Sequence, residues 1–536
     1  MYSPPTRNRN ESGVSLLMSV VMLVVILAMV GLAIDSGRLY LVKAKLQASV
    51  DGAALAAARA LVLGQTTAAQ RTSAQLNATN WFHANFPNRA LGTLTAVLDT
   101  PIVADDPVNP MVRNVTLSAS TTVAPFFMGV VGASTTTVRA SGNAARRDVV
   151  IVLVLDKSGS MNSNSGCANM RTAAKLFTGQ FAAGRDRVGL VAFSDTIDTS
   201  TIRAPATDFQ TVLGYTNGSG SGSGLIDGIT CLGGTSTAQG ISAAYQGILA
   251  TNLPGALNVL LLMTDGLPNV VTINLKQPFP GTPTAVALKS TSACRDTRGY
   301  TLSGGGNFIT YTPSWTPGLN LSTYFPGSAF SLPAGMITTV GTYDPPSTGV
   351  WGGIKYLGTP TTVISSTNAP GCSFSTTSSY TNFTNDISWI PDTDVYGNRL
   401  TGYKTPLVLS GGRIIANNGT NVRWGAFNTT DDAANTARTG IFPPALPPPP
   451  PGAIPSYVFV VGLGGTTGAP PDYGLLQRVA NDPNADQYNT PALYGAYTPP
   501  TDRAGQLQGT FIFSASPANL GQAFLKISSM ILRMSR

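Results

Sequence analysis

The stretch LVLDKSGSMNSN (153–164) ends a run of β-branched and leucine residues on Asp156, then adds two hydroxyls, Ser158 and Ser160, separated by Gly159. Two further polar loops lie downstream, GGTST with Thr235 and MTDG with Asp265. These residues supply two carboxylates and three hydroxyls, all hard oxygen donors. Such a set suits Mg²⁺, or the related Mn²⁺ and Ca²⁺, more than a thiophilic metal. Serines at alternate positions of a tight turn can point to one centre, and Gly159 is expected to let the backbone make that turn. No nucleophile or general base stands beside these donors, so the set reads as recognition rather than hydrolysis. The alternative is a set of structural loops filled by water.

The composition removes several enzyme classes. The single histidine is His83 and the single glutamate is Glu11. HExxH metalloproteases, histidine-based triads and glutamate acid/base pairs are therefore excluded. His83, in NWFHANF, reads as a partly buried, satisfied side chain. The net charge of +8 comes from scattered basic residues with no aromatic interleaving, so no nucleic-acid partner is expected. The four cysteines, Cys167, Cys231, Cys294 and Cys372, make no zinc spacing. Two disulfides in an oxidising compartment fit them, with three connectivities possible. Cys167–Cys231 with Cys294–Cys372 is preferred, because the first bridge would clamp two of the polar loops together.

The positioning elements follow from hydrophobic pattern. DVVIVLVLD (148–156) and ALNVLLLMTDG (256–266) are continuous apolar runs, as expected for central strands covered on both faces. DRVGLVAFSD (186–195), SYVFVVGLG (456–464) and GTFIFSAS (509–516) add strands, and NMRTAAKLFTGQFA (169–182), TSTAQGISAAYQGILA (235–250) and DYGLLQRVAND (472–482) alternate with them as helices. Ser516 is expected to cap a last helix from Pro517. The repetition predicts an α/β, doubly wound, Rossmann-like domain, in which ligands bind beyond the carboxyl ends of the strands. All three polar loops fall there.

Ahead of this domain, residues 14–34 are uncharged and long enough to span the ~30 Å hydrocarbon core as a helix. They read as an uncleaved transmembrane anchor after a cytoplasmic tail (1–13), with the body outside the cytoplasm, in the periplasm or beyond. Leu39, Val42, Leu46 and Val50 recur at helical spacing, so the helix continues past the bilayer. A small β-rich unit (~95–145) packs on it, which makes 35–147 a small α+β unit.

Two resemblances sharpen this reading. DSGR (35–38) and LQASVDGAALAA (46–57), after the apolar run, resemble the amino-terminal region of the TadE/TadG-like family of tight-adherence (Tad/Flp) pilus assembly. In processed pilin-like members a glycine is followed at the fifth position by glutamate. Gly13 is followed there by Met18, so an uncleaved anchor is expected. The D-x-S-x-S motif of Asp156, Ser158 and Ser160, with Thr235 and Asp265, is similar to the metal-ion-dependent adhesion site of von Willebrand factor A (VWA) domains. That resemblance implies serines binding metal directly, the threonine and aspartates binding directly or through water, and an acidic group of a protein partner completing the shell.

The VWA-like text covers 148–270 and 428–536, with a β-rich insertion (271–427) stapled by Cys294 and Cys372. The helix closing the insertion is placed at 428–440, followed by a polyproline spacer. The glycine run 217–228 reads as a flexible loop. Because the insertion leaves the strand just after Asp265, it is expected to rim the site, the alternative being an exposed elaboration. The favoured function is partner binding through the metal site of a single-pass inner-membrane protein in Tad-type pilus assembly or anchoring. A membrane-tethered adhesin or envelope scaffold is the second reading, and an aspartate/metal hydrolase the third.

Overall fold

The computed structural model describes residues 11–274 except 128, 130–131, 133, 195 and 216–222. Beyond them it describes 288–289, 321–326, 328, 337–341, 373–374, 389–390, 392–404, 409–410, 413–415, 419–441, 454–466, 471–483 and 505–535. The chain divides into two units, 1–147 and 148–535.

The first unit is built on α1 (Glu11–Ala60), one continuous helix of 50 residues. Its amino-terminal half is apolar and exposed, from Leu16 to Ile34. Its second half buries Val42, Leu46, Val50, Ala53, Ala54 and Ala57 against α2 (Thr67–Asn85) and a sheet of β1 (Val97–Leu98), β2 (Ile102–Asp105), β3 (Val112–Val123) and β4 (Thr136–Arg147). β3 and β4 form a long antiparallel hairpin, and β3 buries every second residue, as its alternating sequence requires. α2 is not announced by the hydrophobic pattern. Its buried face is Gln70, Ala74, Ala78 and Phe82, which offers one large apolar residue at helical spacing and so little periodic signal. His83 is a correction: it is exposed, with its ring edge-on to buried Phe82.

The second unit is centred on β5 (Val149–Asp156) and β8 (Leu257–Thr264), both buried at every position. They are flanked by β6 (Arg187–Phe193) and β16 (Tyr457–Leu463), then by β7 (Arg203–Ala206) and β17 (Phe511–Ser514), in the order β17-β16-β8-β5-β6-β7. All pairings are parallel except the short edge strand β7, which carries Pro205 and runs antiparallel. Alternate residues of the strands enter two cores. One packs beneath α5 (Thr237–Thr251), α6 (Gly419–Thr439) and α7 (Tyr473–Ala480). The other packs beneath α3 (Gly166–Thr178), α4 (Phe209–Leu213) and α8 (Leu520–Met534), where Phe177 meets Phe524 edge to face. Helices on both faces make this the doubly wound sheet the sequence implies.

The boundaries of several elements shift. α6 begins at Gly419 rather than 428. Gly425 weakens helical propensity there. Its missing side chain admits Leu400, whose Cδ2 would lie 3.2 Å from an added Cβ. α8 is preceded by a 3₁₀ turn at Pro517–Asn519, and the Ser516 side chain makes no capping bond. Within the glycine run, Leu225–Gly228 is an ordered 3₁₀ turn with Ile226 buried and Asp227 paired to Lys175 at 2.7 Å.

The described strands of the 271–427 region are short: β9 (Val270–Asn274) paired with β11 (Ile337–Gly341), β10 (Leu288–Lys289) with β12 (Ser373–Phe374), and β13 (Trp389–Ile390), β14 (Leu409–Ser410) and β15 (Arg413–Ile415) in one small sheet. Leu321, Phe325 and Tyr396 are buried in the α5/α6/α7 core. Phe325 lies over Gly247 of α5, 3.0 Å from where its Cβ would be. For these segments the expectation of an exposed elaboration is wrong, since they are part of the core. Cys294, Cys372 and the polyproline spacer lie outside the described residues.

Candidate functional site

Parallel pairing of β5 with β8 places Leu155 opposite Met263, so the two chains end side by side on Asp156 and Thr264. Asp156 is fully buried. Its Oδ1 accepts the Ser158 N–H at 2.7 Å, and its Oδ2 accepts the Thr264 hydroxyl at 2.5 Å. One residue further on, Asp265 turns its carboxylate into the first loop. Its Oδ1 accepts the Ser160 hydroxyl at 2.7 Å and sits 3.5 Å from Ser158 Oγ, while the two serine oxygens are 3.0 Å apart. Thr235 comes from the loop before α5. A Cβ placed on Gly266 would lie 3.6 Å from both Ser160 Oγ and Thr235 Oγ1, so the threonine hydroxyl closes the same ring. The five sequence-selected residues, Asp156, Ser158, Ser160, Thr235 and Asp265, therefore gather at one end of the sheet.

Backbone contacts lace the loops. The Gly159 N–H donates to Gly233 O at 2.8 Å and the Leu232 N–H to Lys157 O at 2.7 Å. The Cys167–Cys231 disulfide joins the first turn of α3 to the same second loop, with Cα atoms 6.1 Å apart. Gly159 itself departs from expectation. Its φ is not in the left-handed region, and an added Cβ would meet Gly233 O at 3.4 Å, an ordinary contact. The left-handed residues are Asn164 and Ser165, at the entry to α3.

The electrostatics of the cluster are one-sided. Burial, and then the nearby charge of Asp265, push the Asp156 carboxyl up from the usual carboxylate range. Burial does the same to Asp265. The adjacent cation, Lys157, is turned away and paired with Asp198 at 2.7 Å. Among the described residues no lysine or arginine pairs with Asp156 or Asp265. Asp265 Oδ2 is buried without a hydrogen bond of ordinary geometry, although the Thr466 hydroxyl approaches the carboxyl. Two buried carboxylates without a protein counter-charge, one with an unused oxygen, beside three hydroxyls, fit a hard divalent cation. Among the described residues no three His, Cys, Asp or Glu side chains gather so as to hold a metal ion, so a cation here would need the hydroxyl oxygens as well.

Three further residues contribute to which the sequence assigned no role. Thr264 holds Asp156, and Thr466, in the loop after β16, reaches Asp265. Asn269 accepts the Thr235 N–H on its side chain at 2.7 Å and donates its own N–H to Thr235 O at 3.1 Å. The position of Thr264 beside the strand end was a usable signal. The other two are brought in by the fold.

Comparison with known proteins first defines the class. Residues 151–267 match the family model of the von Willebrand factor type A domain, and with the strand order above the second unit is a VWA domain. Residues 13–60 match the Tad family model, described as Flp pilus-assembly TadE/G-like, so the chain joins a TadE/G-like helix to a VWA domain. Calcium-activated chloride channel regulator 3A-1 of Mus musculus is 31% identical over 123 residues, 22% of this chain and 12% of the relative. Calcium-activated chloride channel regulator 1 of Bos taurus is 30% identical over 122 residues, 23% of this chain and 13% of the relative. The chain thus spans about an eighth of the length of these curated relatives. Among solved structures, the vWF domain of the type V pili tip protein Mfa5 from Porphyromonas gingivalis aligns with a TM-score of 0.33 and 15% identity, over 73% of this chain and 98% of that one. The PilB minor pilin from Streptococcus sanguinis aligns with a TM-score of 0.31 and 13% identity, over 83% and 81%.

Proposed function

We propose that this chain is a membrane-anchored VWA protein that binds a protein partner through a divalent cation, in Tad/Flp-type pilus assembly or anchoring. The observation that carries the reading is the ring of Asp156, Ser158, Ser160, Thr235 and Asp265 around a buried, unneutralised pair of carboxylates. Bound there, Mg²⁺ or Mn²⁺ would supply a Lewis-acidic position for an incoming oxygen ligand. Ser158 and Ser160 would hold the cation, Asp265 would turn its free oxygen to it, and Asp156 would orient the first loop through the Ser158 N–H. A carboxylate from the partner, an Asp, a Glu or a carboxyl terminus, completes the shell. The second unit contains neither histidine nor glutamate to activate water, which supports recognition over hydrolysis.

The anchor is α1. It is the one helix among the described residues long and apolar enough to cross a membrane, and the apolar window is almost entirely unburied. The disulfide supports placing the VWA unit in an oxidising compartment, periplasmic or extracellular, with the anchor in the inner membrane. The TadE/G-like match of residues 13–60 supports the pilus context.

Calorimetric titration of the purified full-length chain in detergent with Mg²⁺ and Mn²⁺ tests the site. Saturable binding at one site is expected, and the Ser158→Ala, Ser160→Ala double variant should weaken it by about a hundredfold, the loss of two ligands. Undiminished binding in that variant refutes the assignment. For the partner, capture from an envelope extract should require Mg²⁺ and fail for the same variant.

A further inference from the structure

The DSGR junction at the end of the apolar run has a structural task that metal recognition does not explain. Asp35 is buried, and its carboxylate accepts the backbone N–H groups of Phe126 at 2.9 Å and Phe127 at 3.1 Å. Arg38, one turn on, donates from Nη1 to Ala124 O at 2.7 Å, from Nε to Leu91 O at 3.0 Å and from Nη2 to Gly92 O at 2.6 Å. Its guanidinium also lies 4.1 Å from the centre of the Phe126 ring. The two charged residues thus grip the connection that leaves β3.

The grip sets the depth of that connection along α1. A Cβ on Gly31 would lie 2.7 Å from Phe127 Cβ, so the glycine lets Phe127 sit directly on the helix. Gly31 is four residues, or about 6 Å, inside Asp35 on the apolar side. Phe126 and Phe127 are nevertheless 64% and 52% exposed, and Leu32 and Ile34, next to Gly31 on α1, are exposed as well. The sequence from Ala124 to Ala133 carries no charge.

We propose that Phe126 and Phe127 form a second membrane contact beside α1, Phe127 seated in the acyl chains against Gly31 and Phe126 at the edge of the bilayer over Arg38, with Asp35 and Arg38 as positioning residues. The inference rests on the reading of residues 14–34 as a membrane span. If that run lies in lipid up to Ile34, the Phe127 ring held against Gly31 lies in lipid as well, and the Phe126 ring, over the Arg38 guanidinium, lies at its boundary. Exposed aromatic rings at that depth are stable in the interfacial layer and unfavourable in water. The second contact fixes the rotation and tilt of the first unit, which a lone span leaves free.

The test uses the full-length chain in phosphatidylcholine vesicles, with one tryptophan added at a time and the emission read as the difference from wild type. Leu23→Trp reports the span. Phe127→Trp reports the loop. Val108→Trp, 91% exposed before the other end of β3, reports water some 40 Å away. Acyl-brominated lipid should quench Leu23→Trp and Phe127→Trp by about half or more, as interfacial insertion demands, and spare Val108→Trp, whereas iodide should do the reverse. Quenching of Leu23→Trp without Phe127→Trp overturns the loop inference alone. Failure of Leu23→Trp itself removes the span and the inference with it. Phe127→Trp shielded from both quenchers means a protein covers the loop, and also refutes it. Adding Asp35→Ala should cut the lipid quenching of Phe127→Trp at least twofold with Leu23→Trp unchanged. No change there refutes the positioning role.

Discussion

Removing the Cys167–Cys231 bridge is the perturbation whose magnitude follows most directly from the fold. The bridge closes a loop across a separation of 64 residues, including β6, β7 and α4. In the chain-entropy account, opening a loop of that length restores freedom to the unfolded chain and costs about 4 kcal/mol of stability. Unfolding entropy of about 2 cal/mol/K per residue over the 148–535 unit makes this a fall of about 5 °C in its melting temperature. The loops of the proposed metal site should feel the change less. Gly159 still donates to Gly233 O and Leu232 to Lys157 O in the folded state, each worth about 1 kcal/mol net. The Cys167→Ala, Cys231→Ala variant of the full-length chain, scanned calorimetrically without metal and then titrated with Mn²⁺, separates the two effects. The expected result is the 5 °C fall with less than about a tenfold loss of metal affinity. A fall under 1 °C would show that the unfolded chain is not constrained by the bridge. A hundredfold loss of metal affinity with an unchanged melting temperature would show that the bridge, not the backbone lacing, holds the loops.

Three further expectations can be checked with the same preparations. Because burial raises the Asp156 and Asp265 carboxyls, a cation bound as proposed would have to displace protons from them. Affinity for Mg²⁺ should therefore fall as the pH drops, by up to about tenfold per unit for each proton displaced, and calorimetry in buffers of different ionisation heat would register the release. Asp394, buried beside Tyr396 and Asn398, has its carboxyl pushed up to about 7, chiefly by burial. A raised carboxyl contributes stability that is complete below the unfolded value near 4 and lost as the pH rises through about 7, so the melting temperature of wild type should decline across that window and Asp394→Asn should flatten the decline. Asp186 is fully buried and accepts the Val149 and Ala182 N–H groups at 3.0 and 2.7 Å. Asp186→Ala should leave both donors unpaired and lower the unfolding free energy by about 2–4 kcal/mol in urea titration.

Much of the fold was legible because the strands are homogeneous. VVIVLVLD and LNVLLLMT are buried along their whole length, so periodicity, length and the polar residues at their ends all point to central parallel strands. The site was legible for the same reason, since loops that follow such strands must meet at one edge of the sheet. α2 was hidden because alanine and glutamine supply most of its buried face. The start of α6 was hidden by Gly425, whose small size matters only because Leu400 packs there. His83 misled because apolar neighbours along the chain say nothing about which helix face is inside.

The sequence by itself determined the apolar run, the alternation of strands and helices, and the five oxygen-bearing residues, because these depend on local pattern and chemical type. Tertiary structure decided the rest: which of Asp265's oxygens is spoken for, that Lys157 turns to Asp198 instead of the carboxylates, that Asn269 and Thr466 join the site, and that Asp35 and Arg38 hold the β3–β4 connection against α1. Each of these joins residues separated by tens to hundreds of positions. Such pairings are set by packing and register, which no short stretch of chain encodes.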